Sequence, residues 1–597
     1  MESLKPYVYQ SLPKVESSFR VLELLPGENN EELFINLQVA DWVTPPPFEA
    51  LSYAWGDPTI RVAISCNGRV LKVTINLRDA LKRLRQRHGS RFLWADAICI
   101  NQEGGKEDKS SQANNMRKIY SNATRVIVWL GLDDNGLAKT AAHAMKEIAR
   151  AACIANSRLE SDLWEIDHLK ILALKSVPWK ELSCNTPETW NSLFWFFSRP
   201  WFPRIWVYQE VTSGPKVLFL CGEVELDWDV IGLTAEYITV SRDLFDTYDF
   251  WKSNIWCAVT HRDRRVFNVS CLDLLNSARE LKATELVDKV YSLLGMPSFS
   301  EKNLGLKADY TKSIAKVYQD MGDVALDSLQ NLDLLSFVQH DQEISRDYPS
   351  WIPRWDQAKV RHPLLRELRF QGAHNASRGL NFTFKRNLED ILEVSGIWFD
   401  TIKMATSIDS EAWFNQRHRP LNPHPVLEFW YEQKTSPSFY PTGERSIDVY
   451  PEVLTTRLGK KVNRAGEQAA YQQADFSAYI IQLMKSSQHS VSDFTSLREY
   501  ISLYNQGKYG NWESWASVAR VTTWGHSFFT TTKGYMGLGS QAMKPGDVVS
   551  ILAGGEVPFI LRRAGEFFQL VGECYVYGIM NGEVVHKVHE RETFQIR

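Results

Sequence analysis

The chain has 597 residues and a formal net charge of −3, with 44% hydrophobic and 23% charged residues. One hydrophobic core rarely supports this length, so we expect two or more domains, and the composition excludes a chain that is disordered throughout. The near-neutral charge also excludes a basic surface along the whole chain for nucleic acid or anionic membrane.

The first part of the chain predicts short strands separated by turn residues. Residues 19–40 indicate two strands around a Pro-Gly turn, and residues 48–55 form a short apolar run that Gly-Asp-Pro at 56–58 ends. The pair Asn-Gly at 67–68 lies between two alternating runs, which is typical of a β-hairpin. These patterns predict a sheet that begins near the N-terminus.

Strands and helices then alternate. Asn76 is placed to cap a helix through residues 77–84, and the continuous apolar run at 92–100 predicts a central strand. Residues 109–123 have helical spacing, and residues 125–131 predict a third buried strand. Apolar strands that alternate with helices indicate a parallel sheet covered on both faces.

Helical and then β patterns follow in the rest of the chain. Residues 133–190 are helical and mixed in charge, which suggests an insertion, and the aromatic run 194–211 contains Pro203, which suits the first turn of a helix. Residues 270–330 also read as helical. From about residue 521, short apolar runs broken by Gly, Pro and Asn predict a small antiparallel sheet or barrel.

These patterns divide the chain into five predicted segments. The stiff Pro-rich connector before residue 48 marks the first boundary, and the change to β patterning marks the last. The segments are an N-terminal β-strand extension at 1–47, an α/β domain at 48–215 with its helical insertion at about 133–190, a helical region at 216–356, a variable region of unassigned fold at 357–520, and a β-rich domain at 521–597.

Cysteine usage and hydropathy indicate the compartment. The eight cysteines are scattered without a CxxC pair, which argues against a zinc ribbon or a disulfide framework and fits reduced intracellular thiols. The first ten residues lack an apolar stretch of signal-peptide length, and no run of about 18 apolar residues occurs. We therefore expect a cytoplasmic protein with neither a membrane nor a nucleic-acid partner.

Three blocks of the sequence resemble the signature blocks of the fungal heterokaryon incompatibility (HET) domain. They are FEALSYAWGD at 48–57, LWADAICINQ at 93–102 and RIWVYQE at 204–210. The resemblance covers residues 9–356 nearly continuously and returns at 521–583. It implies a role in self/non-self recognition, in which genetically different fungal cells fuse and die, and a TIR-like fold, which is a doubly wound parallel α/β sheet.

The resemblance also implies a candidate catalytic carboxylate. TIR-like enzymes cleave NAD between ribose and nicotinamide, and their carboxylate lies on a helix one turn after a tryptophan. Trp206 and Glu210 match that arrangement in type and spacing. Glu210 would then stabilise an oxocarbenium-like transition state, and Trp206 would stack on the leaving nicotinamide.

The remaining candidate residues belong to the expected pocket. In open α/β sheets a ligand binds outside the carboxyl ends of the strands, so the loops after residues 55 and 100 should open there. Arg204 would bind a phosphate bidentately, through two of its guanidinium N–H groups. The residues expected to line the pocket are Tyr53, Trp55, Asp57, Asp96, Asn101 and Gln102. NAD would be a substrate in this interpretation, and neither a cofactor nor a metal is required.

Structural roles compete with each functional assignment. Glu210 would instead form a structural pair with Arg204 or a cap, and Trp206 would belong to the core. The other candidates have local hydrogen-bonding alternatives: Asp96 within its strand, Asn101 and Gln102 at a turn or helix cap, and Asp57 in an Asx-type turn.

Three functional hypotheses follow. In the first, the HET domain is an effector enzyme that hydrolyses NAD when it self-associates into a homo-oligomer, and the C-terminal half keeps it inactive or senses a partner. In the second, the same domain is a non-enzymatic signalling module whose Trp/Gln/Glu helix contacts protein partners. In the third, the fold serves as an accessory protein of another pathway, such as a secondary-metabolite cluster.

Overall fold

The structure is a computed structural model of the chain. It describes residues 5–12, 18–28, 30–102, 104–133, 135–155, 178–262, 270–300, 305–340, 343–344, 348–359, 374–386, 390–414, 424–435, 438–456, 468–486, 495–588 and 590–597. The chain divides into two compact units, Met1–Val317 and Tyr318–Arg597. Part of the predicted helical insertion, residues 156–177, and several stretches of the predicted variable region lie outside the described residues.

The described part of the first unit combines one mixed sheet with helices. Its strands are β1 (Ser18–Leu24), β2 (Phe34–Asp41), β3 (Glu49–Tyr53), β4 (Arg61–Cys66), β5 (Arg69–Thr74), β6 (Arg91–Trp94), β7 (Val126–Trp129), β8 (Val217–Cys221) and β9 (Val224–Asp227). Its helices are α1 (Ile75–Leu84), α2 (Asp96–Cys99), α3 (Gly105–Asn122), α4 (Leu137–Ala155), α5 (Pro187–Phe197), α6 (Val207–Ser213), α7 (Trp228–Val240), α8 (Arg242–Thr247), α9 (Ile255–Arg262), α10 (Cys271–Ala278), α11 (Asp288–Tyr291) and α12 (Pro297–Ser300). Short 3₁₀ helices occupy Trp179–Glu181 and Phe250–Lys252.

The sheet of the first unit has the strand order β5-β4-β2-β1-β6-β3-β7-β8-β9. Strands β6, β3, β7 and β8 run parallel to one another, and β2 runs parallel to β4. Strand β1 is antiparallel to both β2 and β6, and the two edges of the sheet are antiparallel hairpins. The α/β class is confirmed, and the sheet is mixed, with a parallel centre and antiparallel parts, instead of the parallel sheet expected. Two-residue turns join β4 to β5 and β8 to β9, and so short a connection allows only antiparallel pairing.

Strand β1 lies inside this sheet. It pairs with β2 along its whole length and with β6 through residues 22–24. Phe19, Val21 and Leu22 have no exposed surface. The strand is therefore a central structural element that precedes the residues of the first signature block.

The predicted hairpin is confirmed at β4 and β5. Asn67 and Gly68 connect the two strands, with φ angles of 49° and 70°. Positive φ at both central positions is the geometry of a type I′ turn, which matches the right-handed twist of the strands. The side chain of Asn67 also accepts a hydrogen bond from the Leu37 N–H at 2.7 Å, which ties the turn to β2.

Two local predictions are wrong. The apolar run at 92–100 is not one strand, because β6 ends at Trp94 and a buried helical turn, α2, follows. A continuous apolar run fits a buried helix as well as a buried strand, so periodicity alone does not separate them. Asn76 is not a helix cap either, since Thr74 caps α1 by accepting the N–H of Leu77.

The helix expected to start at Pro203 begins later. The N–H of Arg204 donates to the carbonyl of Trp201 at 3.2 Å, and the N–H of Ile205 donates to the carbonyl of Lys282 at 3.0 Å. The first bond holds residues 201–204 in a turn, and the second belongs to an isolated β-bridge between Arg204 and Lys282. Helix α6 therefore starts at Val207.

Glu49 at the start of β3 forms ion pairs with arginines at the starts of the two neighbouring strands, β6 and β7. Its carboxylate accepts hydrogen bonds from Arg91, including one of 3.0 Å from Nη2, and from Arg125. Burial alone would raise the pKa of Glu49, but the hydrogen bonds and charges of the two arginines outweigh it and lower the pKa. The ionised form of Glu49 is therefore bound more strongly in the folded state than in the unfolded chain.

We expect Glu49→Gln to reduce the acid sensitivity of folding. A lowered folded pKa gives stability that is present above the unfolded value, near 4.5, and is lost as pH falls toward the folded value. Urea unfolding of wild type and variant at about pH 7 and about pH 3 measures this, and the loss between the two conditions should be smaller in the variant. Glu223→Gln, at a surface pair with Arg83, should keep the wild-type pH dependence.

The second unit contains a β structure, and most of its helices lie in the chain between the second and third strands of that structure. Its strands are β10 (Phe384–Arg386), β11 (Leu392–Ser407), β12 (His526–Thr531), β13 (Met536–Ser540), β14 (Val548–Leu552), β15 (Phe559–Ala564), β16 (Phe567–Val576) and β17 (Glu592–Ile596). Helix α13 (Ile314–Leu329) spans the boundary between the units, a 3₁₀ helix covers Asp333–Phe337, and the later helices are α14 (Ser410–Phe414), α15 (Pro425–Thr435), α16 (Ser446–Leu454), α17 (Gln468–Ser486), α18 (Leu497–Gly507) and α19 (Trp512–Thr523).

The strands of the second unit close into a ring. The order β11-β12-β13-β16-β15-β14 is antiparallel throughout, and β14 pairs again with β11. Register shifts in β11 at 398–400 and 402–404 allow this long strand to bend between its partners. The predicted C-terminal antiparallel sheet is confirmed, and its longest strand comes from residues 392–407, which the sequence left unassigned.

Candidate functional site

Glu210 lies in the first turn of α6 and is 2% exposed. Its Oε2 accepts a hydrogen bond from the Ser52 hydroxyl of β3, and its Oε1 lies 3.7 Å from Nη2 of Arg204. The N–H of Glu210 donates to the carbonyl of Trp206 at 3.1 Å, so these two residues are one helical turn apart. Both carboxylate oxygens therefore have partners inside the fold.

The electrostatic surroundings of Glu210 combine opposing effects. Burial raises its pKa, Arg204 and the Ser52 hydrogen bond act in the opposite direction, and the charge of Asp96 adds to the rise. Burial alone would lower the pKa of Arg204, but the carboxylates of Glu210 and Asp96 raise it. A buried carboxylate with a raised pKa beside an arginine occurs both in catalytic sites and in structural pairs.

Ser52 and Trp201 complete this cluster, and sequence reasoning missed both. The indole N–H of Trp201 donates to the Ser52 hydroxyl at 2.7 Å, and both side chains are buried. Ser52 thus accepts from Trp201 and donates to Glu210. A serine inside an apolar strand is the signal that was present, because a buried hydroxyl needs a hydrogen-bond partner. The pattern does not say which residue provides it.

Trp206 packs against the core and contacts a buried carboxylate. It is half-buried against the core of the first unit. Its indole N–H binds the carboxylate of Asp288 in α11, which also accepts a hydrogen bond from the hydroxyl of Tyr310 at 2.6 Å. Burial raises the pKa of Asp288, and the bonds from Tyr310 and Trp206 oppose that rise. In this arrangement Trp206 orients a buried carboxylate.

Trp55 and Asp96 follow the neighbouring strands β3 and β6, and a hydrogen bond joins their side chains. The indole N–H of Trp55 donates to Oδ2 of Asp96 at 2.8 Å, and the N–H of Ala97 donates to Oδ1 at 2.7 Å. The side chain of Gln102 reaches back and donates to the Asp96 carbonyl at 3.1 Å. Asn101 is half-buried in the loop after α2, and its carbonyl accepts from the N–H of Gly104. Hydrogen bonds therefore fix the loop after α2 and the indole of Trp55.

Tyr53 links the buried carboxylate to the loop after β3. It is 2% exposed, and its carbonyl accepts from Nη1 of Arg204 at 2.5 Å. Burial, followed by the nearby charge of Asp96, raises the pKa of the Tyr53 hydroxyl. Arg204 therefore holds both Glu210 and the backbone at the end of β3.

A cavity of about 290 Å³ opens at the carboxyl ends of β3 and β7. Its lining comes from the loop after β3, the loop after β7, the first turns of α1 and the turn after α5: Ala54, Trp55, Gly56, Asp57, Ile60, Ile75, Asn76, Asp79, Leu130, Gly131, Leu132, Arg199 and Pro200. The loop after β3 lines this cavity, whereas the loop after residue 100, which was expected to open at the same pocket, contributes none of the lining residues. The volume is at the lower end of the range for small-molecule sites.

Several polar groups at this cavity already have partners. Asp57 is fully exposed, and its Oδ1 accepts from the N–H and the hydroxyl of Thr59, which form an Asx turn and lower its pKa. Asn76 donates to the carbonyl of Ala54 at 2.6 Å and accepts from the indole of Trp129 at 2.9 Å. These bonds shape the rim of the cavity.

Arg199 is the cation in the lining of the cavity. It donates to the carbonyls of Leu130 at 2.9 Å and Leu132 at 3.1 Å. Gly131 lies between these carbonyls with a φ of 105°, and a Cβ at this glycine would lie 2.5 Å from Nη2 of Arg199. The glycine therefore permits the close approach of the guanidinium to the loop after β7.

The structure separates the predicted site residues into two groups. Trp55 and Asp57 line the cavity. The others are not among its lining residues: Tyr53, Asp96, Asn101, Gln102, Arg204, Trp206 and Glu210. Within the described residues, no group of three or more His, Cys, Asp or Glu side chains is placed to hold a metal ion, and no helix is long and apolar enough to cross a bilayer.

Comparisons with known proteins agree with the geometry at the level of domains. Residues 48–210 match the family model described as Heterokaryon incompatibility protein (HET), and residues 513–596 match the Het-6 beta-barrel domain. The chain is also similar to Heterokaryon incompatibility protein 6, OR allele, of Neurospora crassa, with 25% identity over 685 aligned residues that cover 100% of this chain and 98% of that protein. No solved structure matches the chain, so the TIR-like fold stays a prediction.

Proposed function

We propose, on the premise that this chain is a fungal HET domain protein, that it acts in heterokaryon incompatibility as a signalling module that associates with other proteins. The family match and the similarity to an incompatibility protein along the whole chain support the role in incompatibility. The proposed mode of action is inferred from the burial of Glu210, the predicted catalytic residue, whose carboxylate oxygens both contact other residues of the fold.

The enclosure of Glu210 is the observation that carries this mode of action. The residue is 2% exposed, and its two oxygens contact Ser52 and Arg204. A catalytic group needs to lie within hydrogen-bond reach of a reacting atom in some substrate pose. In this arrangement Glu210 connects β3, α6 and the turn before α6, which is the role of a structural pair.

NAD hydrolysis is the second candidate function. The cavity at the carboxyl ends of β3 and β7 favours it, because ligands of open α/β sheets bind at this edge. The raised pKa of Glu210 also fits a functional carboxylate. Arg204 holds both Glu210 and the carbonyl of Tyr53, immediately before the loop that lines the cavity. Movement of this loop upon assembly would expose the carboxylate.

Measurement of NAD distinguishes the two candidates. Total NAD and viability are followed in fungal cells after induced expression of wild type, Glu210→Gln and the surface control Glu223→Gln. The signalling proposal predicts loss of viability at constant NAD, with all three proteins alike when their soluble amounts are equal. A fall in NAD that comes before death in the wild type and in Glu223→Gln, but is absent in Glu210→Gln, would contradict the proposal and support hydrolysis.

A further inference from the structure

Helix α18 carries an exposed apolar stripe on the surface of the second unit. Leu497, Ile501 and Tyr504 are 76%, 50% and 48% exposed, and Tyr509, two residues beyond the helix, is 83% exposed. The first three residues are spaced four and three positions apart, so they lie on one face of the helix. Exposed apolar residues are ordinary when they are scattered singly, whereas a contiguous row of them marks an interaction site.

A neighbouring face of α18 already packs against the fold. A Cβ at Gly507 would lie 2.6 Å from the backbone nitrogen of Ala478 in α17, so the two helices approach closely there. Tyr500 and Leu503 share the face of Gly507 and are half-buried. The exposed stripe is therefore separate from the contact that holds α18 against α17.

Hydrogen bonds fix the first turn of α18. The Ser496 hydroxyl accepts from the N–H of Glu499, and the Glu499 carboxylate accepts from the N–H of Ser496 and from Lys434 of α15, both at 3.0 Å. The bonds from Ser496, followed by the bond from Lys434, lower the pKa of Glu499 to about 2. The helix is therefore formed in the free protein, and a partner does not have to order it.

Two cations lie beside the stripe, one near each end. Arg498 follows the first apolar residue of the helix, and Lys508 follows its last residue and lies 4.6 Å from the ring centroid of Tyr509. None of the ion pairs among the described residues involves either cation, and Glu499, the acidic residue of the helix, is paired with Lys434. The stripe is thus flanked by positive charge, which complements an acidic partner.

A second copy of the chain does not match this pattern. In an antiparallel contact between two α18 helices Arg498 would approach the Lys508 of the other copy, and in a parallel contact each cation would meet its own counterpart. Like charges placed opposite each other weaken such a contact. We propose that α18 docks an acidic amphipathic helix of another protein, with Leu497, Ile501 and Tyr504 as the anchors.

A lipid surface fits the same helix less well. Segments that bind anionic lipids contain clusters of about four to eight Lys or Arg residues, whereas residues 495–510 contain Arg498 and Lys508 alone. Tyrosine and arginine, which both occur in and beside the stripe, are enriched at interfaces between proteins. The observations therefore favour a protein helix as the occupant.

Fluorescence anisotropy of labelled helical peptides with the full-length chain tests the proposal. The acidic probe is a designed peptide with leucines at positions i, i+3, i+4 and i+7 and glutamates beside them. A second probe has lysines in place of the glutamates, and a third has serines in place of the leucines. We expect saturable binding of the acidic probe, with binding at least about tenfold weaker for each of the other two.

Matched variants locate the binding on α18. Ile501→Ser should weaken binding of the acidic probe about tenfold, because it removes an apolar anchor. Arg498→Glu should weaken the acidic probe and strengthen the lysine probe, because it reverses a charge beside the stripe. Val521→Ser, at a 44% exposed position of α19, should bind as the wild type does. Far-ultraviolet circular dichroism confirms that the variants fold.

The other two occupants are tested with the same variants. Co-sedimentation with vesicles of phosphatidylserine and phosphatidylcholine, and analytical ultracentrifugation of the chain alone, measure lipid binding and dimerisation. Either activity, if Ile501→Ser abolished it, would overturn the proposal. Absence of binding to the acidic probe, equal binding of the lysine probe, or equal losses in Ile501→Ser and Val521→Ser would also overturn it. Viability and NAD are measured without changes in α18, so these failures would leave the proposed signalling role untouched.

Discussion

Replacement of Arg204 with methionine should lower the free energy of unfolding by about 3–5 kcal/mol at neutral pH, because it leaves a buried carboxylate without its counter-charge. The charge of Arg204 opposes the effect of burial on Glu210, and its Nη1 also binds the carbonyl of Tyr53. Methionine keeps most of the apolar stem and removes both interactions. Urea-induced unfolding of wild type and variant, followed by tryptophan fluorescence, measures the difference.

The same reasoning predicts rescue by a second substitution. Because burial raises the pKa of Glu210, the ionised carboxylate is not well accommodated, and Glu210→Gln alone should cost much less than Arg204→Met. The double variant Arg204→Met/Glu210→Gln should therefore recover part of the loss. Additive losses in the double variant would show that the two charges are not energetically coupled in the folded state.

The effect of Arg204→Met should also depend on pH. A raised folded pKa gives Glu210 a contribution that is fully present below the unfolded value, near 4.5, and is lost as pH rises through the folded value. Loss of Arg204 raises the folded pKa of Glu210 further, so the penalty should be smaller at about pH 5 than at about pH 7. A penalty that is equal at both values would assign the loss to packing.

Truncation of Trp201 to alanine should cost about 3–5 kcal/mol, the range for a large aromatic side chain removed from a core. Trp201 has no exposed surface, and its ring packs edge-on against Phe202 and Phe219 at centroid distances of 5.2 Å. Truncation also removes the donor that binds the Ser52 hydroxyl. Denaturant unfolding and soluble yield at a fixed temperature measure the effect.

Two further substitutions separate the contributions of Trp201. Trp201→Phe keeps a ring in the core and removes the indole N–H, so it should cost less than Trp201→Ala, about 1–3 kcal/mol. Trp251, which is 59% exposed, provides the control, and Trp251→Ala should change stability by less than about 1 kcal/mol. Equal losses for Trp201→Ala and Trp251→Ala would contradict the role of Trp201 as the core support of this cluster.

Local rules predicted the parts of the fold that depend on neighbours in sequence. The hairpin at residues 67–68 follows from the conformations that Asn and Gly adopt, and the buried strands β3 and β7 follow from short apolar runs. The antiparallel strands from residue 526 onward follow from regularly spaced turn residues. Each of these signals lies within about ten residues.

The order of the strands could not be predicted in this way. Strand β1 inserts antiparallel between β2 and β6, and β11 joins strands more than a hundred residues later in the chain. Such pairing depends on which apolar faces fit together in three dimensions, and periodicity contains no information about it. For the same reason the continuous apolar run after Trp94 predicts a strand, although α2 forms there.

The sequence predicted where a cavity would open, but it did not predict which side chains would contact Glu210. Helical spacing placed Trp206 and Glu210 one turn apart, and the cavity opens after β3 at the edge where sheets of this class bind ligands. The direction of Glu210 depends instead on Ser52 and Arg204. The contact with Ser52 joins residues 158 positions apart, so no local pattern could predict that Glu210 is not among the residues that line the cavity.

The central position of β1 limits how this domain can be exchanged between proteins during evolution. Residues 48–210 match the family model, yet β1 and the closing strand β8 lie outside that range and pair directly with strands inside it. A gene fusion that joined only the matched range to a new partner would leave β6 and β7 as open edges, which invite pairing with other chains. The segment that can be transferred between proteins as one folded unit therefore includes the flanking strands. Successful recombination points should fall before Ser18 and after Asp227.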